Sequence, residues 1–134
     1  MSGEFIDTNI VIYSLSDNEQ KQYKALALLA DYPVMSAQVL SETANVMRRK
    51  LGFDIPSIRA VINRISQECK SIEPISLATL NGALAIAERY NFSHYDSLIV
   101  AAALQADCTI LYSEDMQNGL LIERRMTIIN PFVN

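Results

Sequence analysis

Glu4-Phe5-Ile6-Asp7-Thr8-Asn9 is a short apolar-centred stretch that breaks at once into polar residues, the pattern of a buried strand running into a turn. Ile10 to Ser16 follows with room for one helical turn or two. Asn18 then precedes Glu19 to Asp31, where Tyr23, Leu26, Ala27, Leu29 and Ala30 have helical spacing. Pro33-Val34-Met35 is a second short strand, so the first two strands are separated by helix.

The same alternation continues. Ser36 is a suitable N-cap for a helix to about Leu51, stopped by Gly52, with Leu40, Ala44, Met47 and Leu51 as its apolar stripe. Asp54 and Pro56 open another helix to about Cys69, with Ile58, Val61, Ile62 and Ile65 on one face, to cover this domain's own sheet or to meet a second subunit. Ser71 to Ile75 reads as a third strand or edge segment. Ser76 caps a helix containing Leu80, Ala83, Leu84 and Ala87, and Ser93 caps one through Ala106 that is apolar nearly all round and therefore expected to lie deep. Thr109 to Tyr112 and Thr127 to Ile129 are the last strands. Strands separated by helices cannot close into hairpins, so the order predicts an α/β fold, a mostly parallel sheet with helices on both faces.

The whole chain, 134 residues with 50% hydrophobic and 19% charged, has enough apolar surface for one core, and a single domain over residues 1–134 is expected. The longest apolar run, Leu98 to Leu104, is too short to cross a membrane, and Met1 to Asn9 lacks the pattern of a signal peptide. Cys69 and Cys108 form no metal-like cluster and read as reduced thiols, so a cytoplasmic location is expected. The formal charge of −4 argues against a protein that grips nucleic acid with its whole surface. Binding of that kind must be local, and Arg48-Arg49-Lys50 or Arg124-Arg125 could supply it, unless these are merely solvated helix faces.

In a doubly wound sheet, ligands bind beyond the carboxyl ends of the strands. Acids occupy those places. Asp7 follows the first strand, Glu42 lies on the helix after the second, Asp96 is in the first turn of the deep helix, and Asp115 follows Thr109–Tyr112. Each has a modest structural explanation: turn capping for Asp7, a capping box with Ser93 for Asp96, pairing with Arg49 for Glu42, and a turn for Glu114-Asp115. Their joint appearance at successive strand ends points elsewhere. Two carboxylates ~4 Å apart repel by about 4 kcal/mol at an effective dielectric of 20, so a compensating cation is expected. With one His and no cysteine cluster, the matching ion is hard and divalent, Mg²⁺ or Mn²⁺. Such ions act on phosphates, which makes nuclease chemistry the natural expectation. His94 is not needed as a base, and Tyr13, Phe92 and Tyr95 are read as core or rim aromatics before base-stacking ones.

Phe5-Ile-Asp-Thr-Asn-Ile-Val-Ile12, Ser36-Ala-Gln-Val-Leu-Ser-Glu42, Ser93-His-Tyr-Asp-Ser-Leu-Ile-Val-Ala-Ala-Ala103 and Tyr112-Ser-Glu-Asp-Met-Gln-Asn-Gly119 together resemble the PIN-domain family, most nearly its VapC-type toxins. The resemblance covers nearly the whole chain. It implies a three-layer α/β/α sandwich and an Mg²⁺- or Mn²⁺-dependent endoribonuclease, commonly a homodimer silenced by a cognate antitoxin. It matches Asp7, Glu42, Asp96 and Asp115 to the family's metal-binding acids, and Thr8 or Asn9 and Ser113 to the polar residues beside them; the Ser-x-Asp pattern favours Asp115 over Glu114.

Other classes fit less well. A phosphotransfer receiver lacks its lysine after the last acidic strand end, and a haloacid-dehalogenase-type phosphatase needs Asp where Asn9 stands. A non-catalytic binding module and a housekeeping nuclease of the same fold remain as alternatives, separated by metal titration and by toxicity on expression.

Overall fold

The computed structural model describes residues 3–133. Its elements run β1 (Glu4–Ile6), α1 (Thr8–Ser14), α2 (Glu19–Ala30), β2 (Val34–Ser36), α3 (Ala37–Arg49), α4 (Ile55–Gln67), β3 (Ser71–Glu73), α5 (Leu77–Tyr90), α6 (His94–Gln105), β4 (Ile110–Tyr112), β5 (Leu121–Ile122) and β6 (Met126–Ile129). The sheet has six strands in the order β3-β2-β1-β4-β6-β5, parallel except for β5 against β6, and helices flank it as an α/β/α sandwich.

The sheet is held by one buried row. Val34, Phe5, Leu111 and Ile128 are in register on neighbouring strands, and each is at most 2% exposed. Burying Phe5 completely contributes roughly 1.5–3 kcal/mol before packing is counted. The expectation of a deep α6 is met: Ser97 to Ala103 are all buried, so this helix has no solvent face along its middle. Small side chains make that possible, since alanines let α6 fit between neighbouring elements. At Gly82 of α5, an added Cβ would stand 3.6 Å from Ala101 Cβ.

Local chemistry sets the helix starts. Asn18, Ser36, Asp54, Ser76 and Ser93 each accept a backbone N–H of the first turn, and Ser76 with Thr79 completes a capping box. Of the α4 stripe, Ile58 and Ile65 are buried while Val61 and Ile62 are half-buried. Among the described residues no helix is long and apolar enough to cross a membrane. Cys69 and Cys108 are buried and unbridged, and burial pushes both thiols up to about 11.

The expectation that helices separate all the strands fails at the carboxyl end. β5 and β6 form an antiparallel hairpin, with Ile122 opposite Met126. Its turn carries Glu123 and Arg124 at φ 51° and 56°, positions that normally go to Asn or Gly, so the residues there do not signal a turn. Tertiary contacts hold the turn instead. The Glu123 N–H donates to Tyr90 Oη at 2.9 Å, Tyr90 Oη donates to Glu123 Oε2 at 3.0 Å, and Arg89 pairs with the same carboxylate.

The chain winds from β1 outward through β2 to β3, then crosses back to place β4 on the other side of β1. The crevice beyond the ends of β1 and β4 is therefore the topological switch point.

Candidate functional site

At that switch point the sheet ladder continues one residue past the strands. The Asp7 N–H donates to Tyr112 O and the Ser113 N–H to Ile129 O, both at 3.0 Å, which sets Asp7 beside Ser113. A cleft of about 630 Å³ opens above them. Its wall includes Asp7, Glu42, Asp96 and Asp115 together with Thr8 and Asn9. All of the acids expected from the sequence thus meet in one cleft. Ser113 lies beneath it, fully buried.

Hydrogen bonds fix the orientation of these groups. Asp7 is the N-cap of α1, its Oδ1 accepting the Thr8 N–H at 2.7 Å while Oδ2 accepts Ser113 Oγ at 2.8 Å. The same Ser113 Oγ accepts the N–H groups of Asp115 and Met116, each at 3.3 Å, so one hydroxyl organises the turn after β4. Asn9 bridges the crevice: Nδ2 donates to Asp115 Oδ2 at 3.0 Å and Oδ1 accepts the Glu114 N–H at 3.2 Å. Thr8 Oγ1 donates to Glu42 Oε1 at 2.6 Å. Gln38 Nε2 lies 3.5 Å from Glu42 Oε2 and donates to Tyr95 O at 3.1 Å, tying α3 to the start of α6. Ser93 caps α6 through the Asp96 N–H at 3.2 Å.

The capping explanation and the site explanation are both true of Asp7. It caps α1, yet its carboxyl is only 5% exposed and is pushed up to about 6, chiefly by burial, with Asp96 and Glu42 adding to the rise and the Ser113 and Thr8 bonds opposing it. Burial also raises Asp96, helped by the charges of Asp115 and Glu42. No ion pair joins Glu42 to Arg49 among the described residues.

The acids do not form the tight ring expected from the sequence. Among the described residues, no three His, Cys, Asp or Glu side chains stand close enough to hold one ion. The physical reason is visible in their partners. Thr8 Oγ1 donates to Glu42 Oε1, and Asn9 Nδ2 stands between Asp115 Oδ2 at 3.0 Å and Asp7 Oδ2 at 3.5 Å, so hydrogen-bond donors occupy the space among the carboxylates. The donor chemistry nevertheless fits a hard divalent cation: the group is all oxygen, mutually repulsive and partly buried.

Glu114 and Asp115 separate cleanly. Asp115 lines the cleft, whereas Glu114 accepts Tyr13 Oη and Lys21 Nζ, both at 2.6 Å, which hold its carboxyl below the usual range against the effect of burial. Lys21 Nζ also sits 4.5 Å from the Tyr13 ring centre, and Phe132 packs edge-on against that ring at 5.0 Å. Sequence reasoning missed this clamp, whose partners are far apart in the chain. It missed Gln38 as well, although the i, i+4 spacing to Glu42 is a usable signal. Asn45 and Lys50 also line the cleft. Of the other residues considered, His94 is exposed and packs edge-on against Tyr95, Phe92 stacks on Tyr90, and Arg125 pairs with Asp107 at 2.9 Å.

Comparison with curated proteins by sequence finds no match. Among solved structures, a chain of a toxin–antitoxin complex from Klebsiella pneumoniae is similar at a TM-score of 0.71 and 18% identity, covering 96% of this chain and 97% of that one. VapC20 of Mycobacterium tuberculosis, a toxin that cleaves the sarcin-ricin loop, gives 0.67 at 18% identity over 84% and 89% of the two chains. FitAcB from Neisseria gonorrhoeae gives 0.68 at 17% identity over 96% and 98%. At such identities the likeness establishes the shared fold. The PIN domain family model matches residues 5–117, a span that takes in every acid of the cleft, and the chain belongs to the PIN domain family.

Proposed function

We propose that the protein is a metal-dependent endoribonuclease and the toxin of a toxin–antitoxin pair. The observation that carries this reading is the meeting of Asp7 and Asp115 across the β1/β4 crevice, with Asp96 and Glu42 on the same wall. Family membership supports nuclease chemistry, and the Klebsiella pneumoniae and Mycobacterium tuberculosis neighbours support the toxin assignment.

In this reading Asp7, Asp96, Glu42 and Asp115 hold Mg²⁺ or Mn²⁺. When bound, the ion supplies positive charge to the phosphodiester and activates water for attack at phosphorus. The chain's own residues do the rest. Burial favours the neutral form of Asp7, so its ionisation at about pH 6 sets the lower pH limit for a fully charged site. Thr8 aims Glu42, Asn9 aims Asp115, and Ser113 fixes both Asp7 and the turn bearing Asp115. Asn9, on the cleft wall, is the group beside which water or phosphate is positioned, whereas Ser113, fully buried beneath the cleft, acts through Asp7 and the turn bearing Asp115.

The partners are RNA as substrate and a cognate antitoxin protein. A homodimer belongs to the same reading, supported by the exposed Leu77 and Leu84 on α5, 73% and 53% accessible. Light scattering on the purified chain tests the dimer.

The decisive experiment incubates purified protein with RNA in Mg²⁺ or Mn²⁺, with EDTA and the Asp96→Asn variant as controls. Internal cleavage abolished by either control is expected; cleavage that persists in both would remove the assignment. Growth arrest on expression, relieved by the product of a neighbouring small gene, is expected of a toxin and not of a housekeeping nuclease.

A further inference from the structure

The acidic wall occupies only part of the cleft. From Glu42 the wall follows α3 toward its carboxyl end, through Asn45 and Val46 to Lys50 and Leu51. At ~1.5 Å per residue, Glu42 and Lys50 are separated by ~12 Å along the helix axis, well beyond the ~3.4 Å rise of one nucleotide in a stacked strand. A single strand anchored at the acids and running along α3 is therefore level with Lys50 after roughly three to four nucleotides.

The residues at this end differ in kind from the acids. Lys50 is exposed, is the cation on the cleft wall, and makes no ion pair among the described residues. Leu51 is 41% exposed, an apolar surface suited to a base or sugar, and Asn45 is exposed with a side-chain amide able to both donate and accept. The backbone here is held in place. The Leu51 N–H donates to Val46 O at 3.2 Å, the Phe53 N–H to Met47 O at 3.0 Å, and Gly52 takes φ +71°, where a side chain would be strained.

A simpler account exists for a basic helix end. Arg48, Arg49 and Lys50 all complement the negative pole of α3. That account treats the three alike, whereas only Lys50 among them lines the cleft.

We propose that Lys50, Asn45 and Leu51 form a second subsite of the cleft, which holds a flanking nucleotide roughly three to four places along the strand from the one cleaved, with Lys50 Nζ paired to its phosphate. The inference rests on the nuclease reading above and adds to it where the RNA strand runs and which residues contact the flanking nucleotide. The arrangement also answers a physical problem. A polyanion entering an acidic cleft meets repulsion wherever the bound cation does not reach, and Lys50 supplies the opposite charge at that distance.

The test compares wild type with Lys50→Glu, Lys50→Gln, Lys50→Arg and, as a control for the helix pole, Arg49→Glu. Cleavage of a short mixed-sequence single-stranded RNA in Mg²⁺ gives kcat and KM. Fluorescence anisotropy of the same RNA, with each variant placed in an Asp7→Asn background to prevent turnover, gives affinity against salt. Expected are a KM about tenfold higher for Lys50→Glu with kcat little changed, restoration by Lys50→Arg, and a salt slope shallower by ~0.7 for Lys50→Gln, the value for one lost contact to a single strand. Arg49→Glu should match wild type in KM. Wild-type cleavage with KM and slope unchanged in Lys50→Glu, or an equal effect from Arg49→Glu, overturns the subsite and leaves the nuclease reading standing. A wild type that neither binds nor cleaves RNA overturns both.

Discussion

Ser113 Oγ donates to Asp7 Oδ2 at 2.8 Å, joining two buried groups that lie on adjacent strand ends although most of the chain separates them. The bond stabilises the ionised form of Asp7, yet burial and the neighbouring acids outweigh it. Asp7 is therefore a group that the metal-free fold would rather keep neutral. Its rise from 3.8 to about 6 corresponds to roughly 3 kcal/mol of stability forgone once it ionises, at ~1.4 kcal/mol per unit. Asp7→Asn removes that charge. In metal-free buffer at pH 7.5 it should melt several degrees above wild type while RNA cleavage falls by at least about a hundredfold. Thermal melts beside a cleavage assay check this, and a destabilised, active variant would contradict it.

The same shift sets a pH dependence. Because the folded pKa of Asp7 lies above its unfolded value, the metal-free protein should lose stability as pH rises from about 4 to about 6, then level off as far as this group is concerned. Cation binding has the opposite trend, since it needs the ionised carboxylate. Mg²⁺ or Mn²⁺ should thus raise the melting temperature at pH 7.5 and lose that effect on going below pH 6. Titration calorimetry at both pH values measures the difference directly.

Thr8 Oγ1 is the donor that aims Glu42, at 2.6 Å. Thr8→Val keeps the shape and deletes the bond. Groups that orient a ligand typically account for 10- to 100-fold in metal affinity or activity, so a loss of about tenfold in kcat is expected, with Thr8→Ser restoring most of it. Equal activity in Val and Ser variants would show that Glu42 needs no such partner.

Glu114 and Asp115 are neighbours with different work. Asp115→Asn should abolish cleavage, because it changes a carboxylate on the cleft wall. Glu114→Gln loosens the contact with Lys21 and Tyr13 and should reduce activity by less than about tenfold while leaving cation affinity unchanged. Reversed severities would reassign the site to Glu114.

Phe5→Ala removes the largest side chain of the row that crosses the sheet. A fully buried phenylalanine deleted in this way costs about 3–5 kcal/mol, enough to leave little folded protein at 37 °C in a domain of ordinary stability. Urea denaturation at 15 °C measures it.

Much of this was legible in the residues because the decisive features are local. Asp7, Asp115 and Asp96 follow strand ends or open a helix, and Glu42 lies beyond a capped helix start, so alternation of strand and helix was enough to place them on one edge. What escaped is non-local. The β5–β6 hairpin has a two-residue strand and a turn held by Tyr90 and Arg89 of α5, and neither leaves a periodic trace. The Lys21–Tyr13–Glu114 clamp is likewise made by residues that meet only in the folded chain. The hydrogen bonds of Thr8 and Asn9 among the acids also escaped, because no pattern of spacing specifies side-chain rotamers.

Asp96 stands on the first turn of α6, immediately before Ser97 to Ala103, the stretch of that helix that is buried on every side. A reactive group mounted there inherits the tolerances of the interior. At Gly82 an added Cβ would stand at ordinary contact distance from Ala101 Cβ, so alanine fits the seam, whereas a longer side chain would press on the helix that carries Asp96. Damage in the seam between α5 and α6 should consequently surface as impaired turnover, and drift in that seam is constrained by activity as well as by folding.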